Sequence, residues 1–113
     1  MHEFEYKYKA RVVRVVDADT VDCDVDLGFK ININLRFRLD AIDAWEVRGS
    51  ERPKGLIAKQ WLVDEIEGKE ITIKTIKDKK GKYGRYLVVL FDEFGRSYNA
   101  ELVELGHAEW KDY

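Results

Sequence analysis

Residues 36–46 read Arg-Phe-Arg-Leu-Asp-Ala-Ile-Asp-Ala-Trp-Glu, and this stretch decides how the rest of the chain is interpreted. Over residues 31–39 apolar and polar side chains alternate, which is typical of a β-strand with one buried face. The alternation then stops, and we predict a loop. The stretch supplies a fixed cation, Arg38, and two carboxylates, Asp43 and Glu46. A metal and an arginine that bind an anion, with a carboxylate that activates water, suit chemistry on a phosphate. A charged strand face that runs into an acidic loop fits the same residues, so the stretch alone leaves both interpretations open.

Composition is typical of a small single-domain protein without disulfides. Its 113 residues, 45% hydrophobic and 37% charged, fit a single domain over residues 1–113. Cys23 is the only cysteine, which excludes an intramolecular disulfide and a cysteine-based zinc site. The N-terminus lacks the apolar region of a signal peptide, and no run approaches the roughly 18 apolar residues of a membrane span. We therefore expect a cytoplasmic monomer with no membrane partner.

Charge is distributed unevenly along the chain, although the net charge is only −2. Residues 77–85 contain five cations and one anion, whereas residues 99–113 contain four anions and one fixed cation. A basic loop on an acidic protein can form a local phosphate site. A solvated lysine-rich hairpin tip explains the same residues, and the sequence does not decide between the two.

Hydrophobic periodicity predicts five strands. They are residues 8–16, 20–27, 31–39, 70–76 and 85–91. The first three are short and follow one another closely, so we predict an antiparallel meander. Aspartates alternate with apolar residues along the second strand; these are Asp22, Asp24 and Asp26. Residues spaced along one strand face cannot wrap a cation, so we interpret them as a solvated face and not as a metal site.

Two helices complete the predicted fold. The first follows the polar loop 47–54, with Ser50 as its N-cap and Pro53 in its first turn. A short second helix is predicted from Asn99, as its cap, to Leu105. The residues expected to face the core from the first helix are Ala58, Trp61, Leu62 and Ile66. Five strands with a helix between the third and fourth predict a mainly β (α+β) fold, a five-stranded Greek-key barrel of the OB type with a short C-terminal helix.

Four short motifs occur in a fixed order over about residues 11–108. They are Asp17-Ala18-Asp19-Thr20, residues 37–39 followed by 42–46, Lys82-Tyr83-Gly84-Arg85, and residues 99–108. Together they resemble the motifs of the staphylococcal nuclease (thermonuclease) family. Each motif is weak alone, but all four in order, with every charged catalytic position filled, form a specific signal.

The resemblance implies roles for individual residues. The metal ligands it implies, for Ca²⁺, are Asp19, Asp43 and the backbone carbonyl of Ala44. The catalytic residues it implies are the phosphate-binding arginines Arg38 and Arg85 and the general base Glu46. Tyr83 is expected beside the nucleotide. Further substrate-binding cations are expected in the basic loop; they are Lys79, Lys80 and Lys82.

The function implied is calcium-dependent hydrolysis of phosphodiester bonds in DNA, and in RNA as a second substrate, with 3′-phosphate ends as products. The alternative is a non-catalytic OB-fold module that binds single-stranded nucleic acid or a protein partner. Such relatives have typically lost the acidic and arginine residues, which this chain retains, so the sequence favours the enzyme.

Among the positions that depart from the family's motifs is Ala44, where some members have threonine; two other departures affect the backbone. Ala18 stands where the family has glycine, so the turn there must avoid positive φ. Trp45 stands where the family has proline, which removes a fixed φ just before Glu46.

Overall fold

The computed structural model describes residues 6–80 and 85–111, and for residues 77–80 it describes the backbone alone. The strands are β1 (Lys7–Asp17), β2 (Thr20–Asp26), β3 (Asn32–Leu39), β4 (Ile42–Ala44), β5 (Glu70–Lys80), β6 (Tyr86–Phe91) and β7 (Ala108–Trp110). The helices are α1 (Arg52–Ile66) and α2 (Tyr98–Glu104), and a 3₁₀ turn at Gly49–Glu51 precedes α1.

Five of these strands close into a barrel in the order β1-β2-β3-β6-β5, and β5 pairs back onto β1. All neighbours are antiparallel except β3 and β6, which are parallel. The helix α1 lies between the third and fourth barrel strands in the chain, as predicted. The predicted OB-type α+β barrel is confirmed.

The alternation along β2 is reproduced in the barrel wall. Val21, Cys23 and Val25 are buried, and the three aspartates of this strand lie on the outer face. Asp22 makes a bidentate ion pair with Arg36 on β3, with Nε to Oδ1 at 2.7 Å. Burial raises the pKa of the Cys23 thiol to about 12, so Cys23 is an inert core residue. The interpretation of the aspartates as a solvated face is confirmed.

The apolar side of β3 is buried only at its C-terminal end. Phe37 and Leu39 are buried, whereas Ile33 is 40% exposed and Ile31, which precedes the strand, is 55% exposed. The apolar face predicted for β3 therefore extends beyond the barrel interior at the N-terminal end of the strand. The first half of β3 leaves an apolar surface at one end of the barrel.

The start of α1 differs from the prediction that Ser50 is its N-cap. Ser50 lies within the 3₁₀ turn, and the N-cap is Glu51, whose side chain makes no capping bond. The chain is already helical at Glu51, and its carboxylate accepts a hydrogen bond from the Glu46 N–H at 3.0 Å. Pro53 lies in the first turn, as predicted. The residues of α1 predicted to face the core are buried at Ala58, Leu62 and Ile66 and half-buried at Trp61.

The prediction that Asn99 caps α2 is also wrong. Ser97 is the N-cap, and its hydroxyl accepts a hydrogen bond from the Ala100 N–H at 3.2 Å. Asn99 is buried inside the first turn, where its Oδ1 accepts from the Leu90 N–H at 3.1 Å. Its Nδ2 donates to the carbonyls of Asp40 at 3.0 Å and Val88 at 3.2 Å. Asn99 therefore joins α2, β6 and the turn after β3.

Two strand boundaries differ from the predictions. Ile42–Ala44, predicted as a loop, forms β4 and pairs with the unpredicted β7, with Asp43 opposite Glu109. The strand β5 continues to Lys80, although we predicted a basic loop from residue 77; the Lys80–Tyr86 pair extends the β5–β6 ladder. Within the described residues, no helix is long and apolar enough to cross a membrane.

The Asn99 network gives a testable prediction for stability. Asn99→Ala leaves the buried Leu90 N–H and the Asp40 carbonyl without their side-chain partner, at about 1–3 kcal/mol for each such group. We expect the free energy of unfolding to fall by about 2–4 kcal/mol in urea denaturation, with an unchanged m-value. Ser97→Ala is the matched control, and loss of this cap should cost only about 1 kcal/mol. Equal losses in the two variants would contradict the assignment of Asn99 as a buried link.

Candidate functional site

A cleft of about 350 Å³ lies where β2 begins, β3 ends and β4 passes into the loop before α1. Its walls bring together the charged residues that the sequence singled out from four separate segments of the chain. The predicted site residues that line it are Asp19, Arg38, Asp43, Ala44, Glu46 and Arg85.

The strand register explains why these segments meet. Thr20 pairs with Arg38 across β2 and β3, and Arg38 pairs with Leu87 across β3 and β6. Arg85 immediately precedes β6, so barrel closure carries it to the same place. Its Nη1 donates to the Thr20 hydroxyl at 3.3 Å. The two arginines therefore enter one cleft from two neighbouring strands.

Arg38 lies at the centre of the cleft between two carboxylates. Its Nη1 is 3.2 Å from Asp19 Oδ2, and its Nη2 is 3.3 Å from Asp43 Oδ1. Nη1 also donates to the backbone carbonyls of Asp19 at 3.4 Å and Leu39 at 3.3 Å. With 12% of its side chain exposed, the guanidinium is fixed in one orientation.

Asp19 is the buried carboxylate of the cleft. It accepts hydrogen bonds from the Ala44 N–H at 3.0 Å and from the Thr20 hydroxyl at 3.1 Å. Burial raises the pKa of Asp19, and the nearby Arg38 guanidinium and the two hydrogen bonds oppose that rise. These contacts tie β2 to β4 through a single side chain.

Asp43 occupies the exposed side of the cleft. It is the central residue of β4. The residues on either side of it, Ile42 and Ala44, are buried, so the strand directs the Asp43 side chain outward. The β4–β7 ladder holds this strand, and Lys111 Nζ lies 3.5 Å from Asp43 Oδ2. The segment after α2 thus positions a predicted metal ligand.

Glu46 is exposed and follows β4 in a loop that α1 holds by its backbone. Its N–H donates to Glu51, and its carbonyl packs against Gly55 of α1. A Cβ atom built on Gly55 would lie 1.9 Å from the Glu46 carbonyl oxygen. Only glycine permits this approach of helix and loop.

Trp45 fixes the same loop from the other side. Its indole Nε1 donates to the Gly106 carbonyl at 2.7 Å, and the Lys54 ammonium lies 4.8 Å from its ring centroid. The backbone around Glu46 is therefore anchored to α1 and to the turn after α2, without the fixed φ of a proline.

Ala18 is the other departure from the family's motifs that affects the backbone. It is not among the described non-glycine residues with positive φ, which agrees with the prediction for this turn.

The cleft offers the oxygen donors of two carboxylates that a hard cation prefers, and in this structure both contact Arg38. The carboxylates of Asp19 and Asp43 converge on one guanidinium, and oxygen is the ligand type that Ca²⁺ takes. Two carboxylates are a small part of the roughly 6–8 ligands of Ca²⁺. In the described part of the chain, no group of three or more His, Cys, Asp or Glu residues is arranged to hold a metal.

The predicted substrate-binding residues of the basic loop are not placed by the structure. Lys82 and Tyr83 lie outside the described residues, and Lys79 and Lys80 are described by their backbone alone. The choice between a phosphate site and a solvated hairpin tip stays open.

The cleft is also lined by five residues that the sequence did not predict for the site, which are Asp17, Thr20, Trp45, Val47 and Arg48. Thr20 contacts both Asp19 and Arg85, and Arg48 lines the cleft beyond Glu46. The position of Thr20 directly after Asp19 in the turn motif was the signal for it. Arg48 follows no pattern that separates it from other loop cations.

Comparison with known proteins gives one match. A family model described as staphylococcal nuclease homologue matches residues 36–113. The matched segment includes Arg38, Asp43, Glu46 and Arg85, and Asp19 precedes it. No curated protein matches the chain.

The contact of Gly55 with Glu46 predicts the sign of the change in the free energy of unfolding when Gly55 is replaced by alanine. In an open helix, Gly→Ala stabilises by about 1 kcal/mol. Here the added methyl group meets a backbone carbonyl, so we expect Gly55→Ala to lower the free energy of unfolding by about 1–3 kcal/mol in urea denaturation.

The matched control for this change is Ile57→Ala on the exposed side of α1, at 62% exposure. It should change the free energy of unfolding by no more than about 0.5 kcal/mol. A Gly55→Ala protein that is more stable than the wild type would mean that the Glu46 loop is not packed against the helix.

Proposed function

Because the chain belongs to the staphylococcal nuclease homologue family, we propose that it is a calcium-dependent nuclease that hydrolyses phosphodiester bonds of DNA, and of RNA as a second substrate, to leave 3′-phosphate ends. The observation that carries the proposal is the meeting of three arginines (Arg38, Arg48 and Arg85) and four carboxylates (Asp17, Asp19, Asp43 and Glu46) in one cleft. The phosphodiester linkages of nucleic acid fit a cleft that combines arginine forks with carboxylates.

The arginines bind the scissile phosphate in this mechanism. Arg38 and Arg85 reach the cleft from β3 and from the residue before β6, so they can contact a phosphate from two sides. Each guanidinium donates to phosphate oxygens in a planar fork. The pair stabilises the charge that accumulates on the phosphate as the attacking oxygen adds.

Asp19 and Asp43, with the Ala44 carbonyl, are the proposed ligands of Ca²⁺. When bound there, the ion supplies Lewis-acid polarisation of the phosphate. Both carboxylates now contact the Arg38 guanidinium, which therefore holds two acidic groups close together. Substrate binding then exchanges these ion pairs for contacts between Arg38 and the phosphate.

Glu46 is the proposed general base. Its loop is anchored by the backbone, and its carboxylate is exposed in the cleft, where water is available. It accepts the proton of the water that attacks phosphorus; the bond from phosphorus to the 5′ oxygen breaks, and that oxygen takes up a proton from solvent and leaves as a hydroxyl group.

One observation supports the second candidate, a non-catalytic binding module. Arg38 already forms ion pairs with Asp19 and Asp43, and these pairs join the start of β2, the end of β3 and β4 without any ligand. Cleavage separates the two candidates, because a binding module retains nucleic acid intact.

The first test is cleavage of single- and double-stranded DNA with Ca²⁺ and with excess chelator. We expect products with 3′-phosphate ends in Ca²⁺, loss of cleavage with chelator, and poor replacement by Mg²⁺, which requires a tighter octahedral shell. Calorimetric titration of the DNA-free protein with Ca²⁺ should show binding that Asp43→Asn weakens.

Glu46→Gln is the control for contaminating nuclease. Loss of a general base typically costs about 10²–10⁴-fold in rate, so this variant should cut far more slowly under identical conditions. Cleavage that survives both the chelator and Glu46→Gln would reject the mechanism. Binding of DNA without any cleavage would establish the second candidate.

A second test determines whether Arg38 acts through the planar geometry of its guanidinium or only through its charge. Arg38→Lys keeps the charge but loses the bidentate geometry, so turnover should fall about 10²-fold or more while the salt dependence of DNA binding changes little. Arg36→Lys is the matched control, since Arg36 lies on the same face of β3 but pairs with Asp22 outside the cleft. Equal turnover in the two variants would reduce Arg38 to a surface cation.

A further inference from the structure

The N-terminal half of β3 has a free edge. This strand pairs with β2 from Asn32 to Arg38, but it pairs with β6 only over Phe37–Leu39. In the described part of the chain, residues 32–35 therefore have a neighbouring strand on one side only. The N–H and C=O groups along such an edge form a template on which a further strand can pair.

The edge is regular and carries none of the usual protection. The β2–β3 ladder runs without a register shift, whereas the β1–β2 and β5–β6 ladders both contain shifts. Proteins protect exposed edges with bulges, prolines, lysines or charges that point inward. Residues 31–35 contain no proline and no charged residue. This segment is therefore open to pairing.

Two hydrogen bonds show which backbone groups point away from β2. The Leu27 N–H donates to the Ile31 carbonyl, and the Leu39 N–H donates to the Asp19 carbonyl, both at 2.8 Å. The direction of the backbone groups alternates along an antiparallel strand. The odd-numbered residues of 31–39 therefore bond to β2, and the even-numbered residues point away from it.

Asn32 and Asn34 are the even-numbered residues of the free edge, and both are exposed. Each presents its N–H and its C=O to solvent. Ile31, Ile33 and Leu35 alternate with them, so their side chains lie on the opposite face of the strand. Ile31 is 55% exposed and Ile33 is 40% exposed. The edge thus combines backbone groups that can pair with accessible apolar surface.

The sequence of the edge reads nearly the same in both directions. Residues 31–35 are Ile-Asn-Ile-Asn-Leu, which is symmetric about Ile33 except that leucine replaces isoleucine at one end. An antiparallel two-fold axis at Ile33 places position 31 opposite position 35 of a second copy, and position 32 opposite position 34. Directly opposite residues share a face, so one face holds only apolar pairs and the other holds only asparagine pairs. Such self-complementarity is what an interface between identical copies requires.

We propose that the protein forms a symmetric dimer in which the β3 edges of two copies pair in antiparallel register about Ile33. Asn32 exchanges two backbone hydrogen bonds with the partner's Asn34, and the two-fold axis repeats the exchange. Ile33 faces its own symmetry mate on the apolar side. None of these residues lines the cleft that holds Arg38, so the cleft stays accessible, and the inference is independent of the proposed function.

Self-association of the wild type is the first measurement. Sedimentation equilibrium should show a weight-average mass that rises with concentration from 13.3 kDa towards twice that value. A wild-type protein that remains monomeric up to about 1 mM leaves the edge to a strand of another protein and overturns the proposal. A monomer is also what we expected from the composition.

Ile33→Cys tests the register. Residues that face each other in a non-hydrogen-bonded pair have Cα atoms about 4.5 Å apart, which a disulfide can bridge. With oxidised glutathione as the oxidant, this variant should form covalent dimers that are visible by gel electrophoresis without reductant. Cys23 does not interfere, because it is buried and burial raises the pKa of its thiol to about 12.

Ile31→Cys is the matched control, because Ile31 is the more exposed of the two isoleucines. In the proposed register, residue 31 lies about 13 Å along the strands from its own symmetry mate. It should therefore crosslink at least about tenfold more slowly than Ile33→Cys. Equal rates at the two positions would reflect random collisions and would overturn the proposal.

Asn34→Pro tests the backbone hydrogen bonds. It removes an N–H that points away from β2, so the β2–β3 ladder keeps its bonds, and proline is tolerated at such an edge position. Two hydrogen bonds are lost in each dimer, so the dissociation constant should rise at least about tenfold. Asn34→Ala is the matched control, since it keeps the N–H, and its dissociation constant should rise at most about fivefold.

A proline variant that dimerises as tightly as the wild type would contradict the pairing. If Asn34→Pro does not fold, the comparison of the two cysteine variants still decides, because both keep every backbone N–H group.

Discussion

Closure of the barrel depends on three parallel rungs between β3 and β6, which are Phe37–Tyr86, Arg38–Leu87 and Leu39–Val88. Without them the β1–β2–β3 meander would end in an open edge, with unpaired backbone groups along β3. Parallel neighbours need a long crossover, and here the segment between them contains β4, α1 and β5. The same rungs carry the second arginine to the first. The need to close the sheet and the need to assemble a phosphate site are therefore met by one ladder.

The buried carboxylate and the central arginine of the cleft, Asp19 and Arg38, support each other. Burial raises the pKa of the Asp19 carboxyl, and the carboxylate form is supported by Arg38 and by hydrogen bonds from Thr20 and Ala44. A buried carboxylate without such partners would be strongly destabilising. The orientation of the Arg38 guanidinium is fixed in turn by two carboxylates and two backbone carbonyls. The groups proposed for chemistry are thus also the groups that join β2, β3 and β4.

The sequence predicted the barrel because the second and third strands alternate clearly, the last is a nearly continuous apolar run, and turn residues separate them. The cleft residues followed from motif order, and the structure brings together Asp19, Arg38, Asp43, Glu46 and Arg85. The cap positions failed for a physical reason. Ser50 and Asn99 have capping side chains, but Ser50 lies inside a 3₁₀ turn, and the buried amide of Asn99 is used by backbone groups of Asp40, Val88 and Leu90. Single-sequence patterns carry no information about such partners.

The short β4–β7 ladder was missed for a related reason. Three residues are too few to show an alternation, and their pairing joins segments that are far apart in the chain. The extension of β5 to Lys80 was missed because lysines are uncommon in strand interiors and are frequent in hairpin tips. The Gly55 contact with Glu46 has no signal at all, since a glycine inside a helix usually indicates weak helical propensity.

The return of β7 to β4 also has a consequence for synthesis. Translation delivers the five barrel strands and α1 before Ala108–Trp110, so the strand that pairs with β4 beside Asp43 is the last of the seven to be synthesised. Loop-closure entropy further delays a contact between such distant segments. The order of the strands would thus keep the proposed hydrolytic chemistry from assembling until the segment after α2 has emerged.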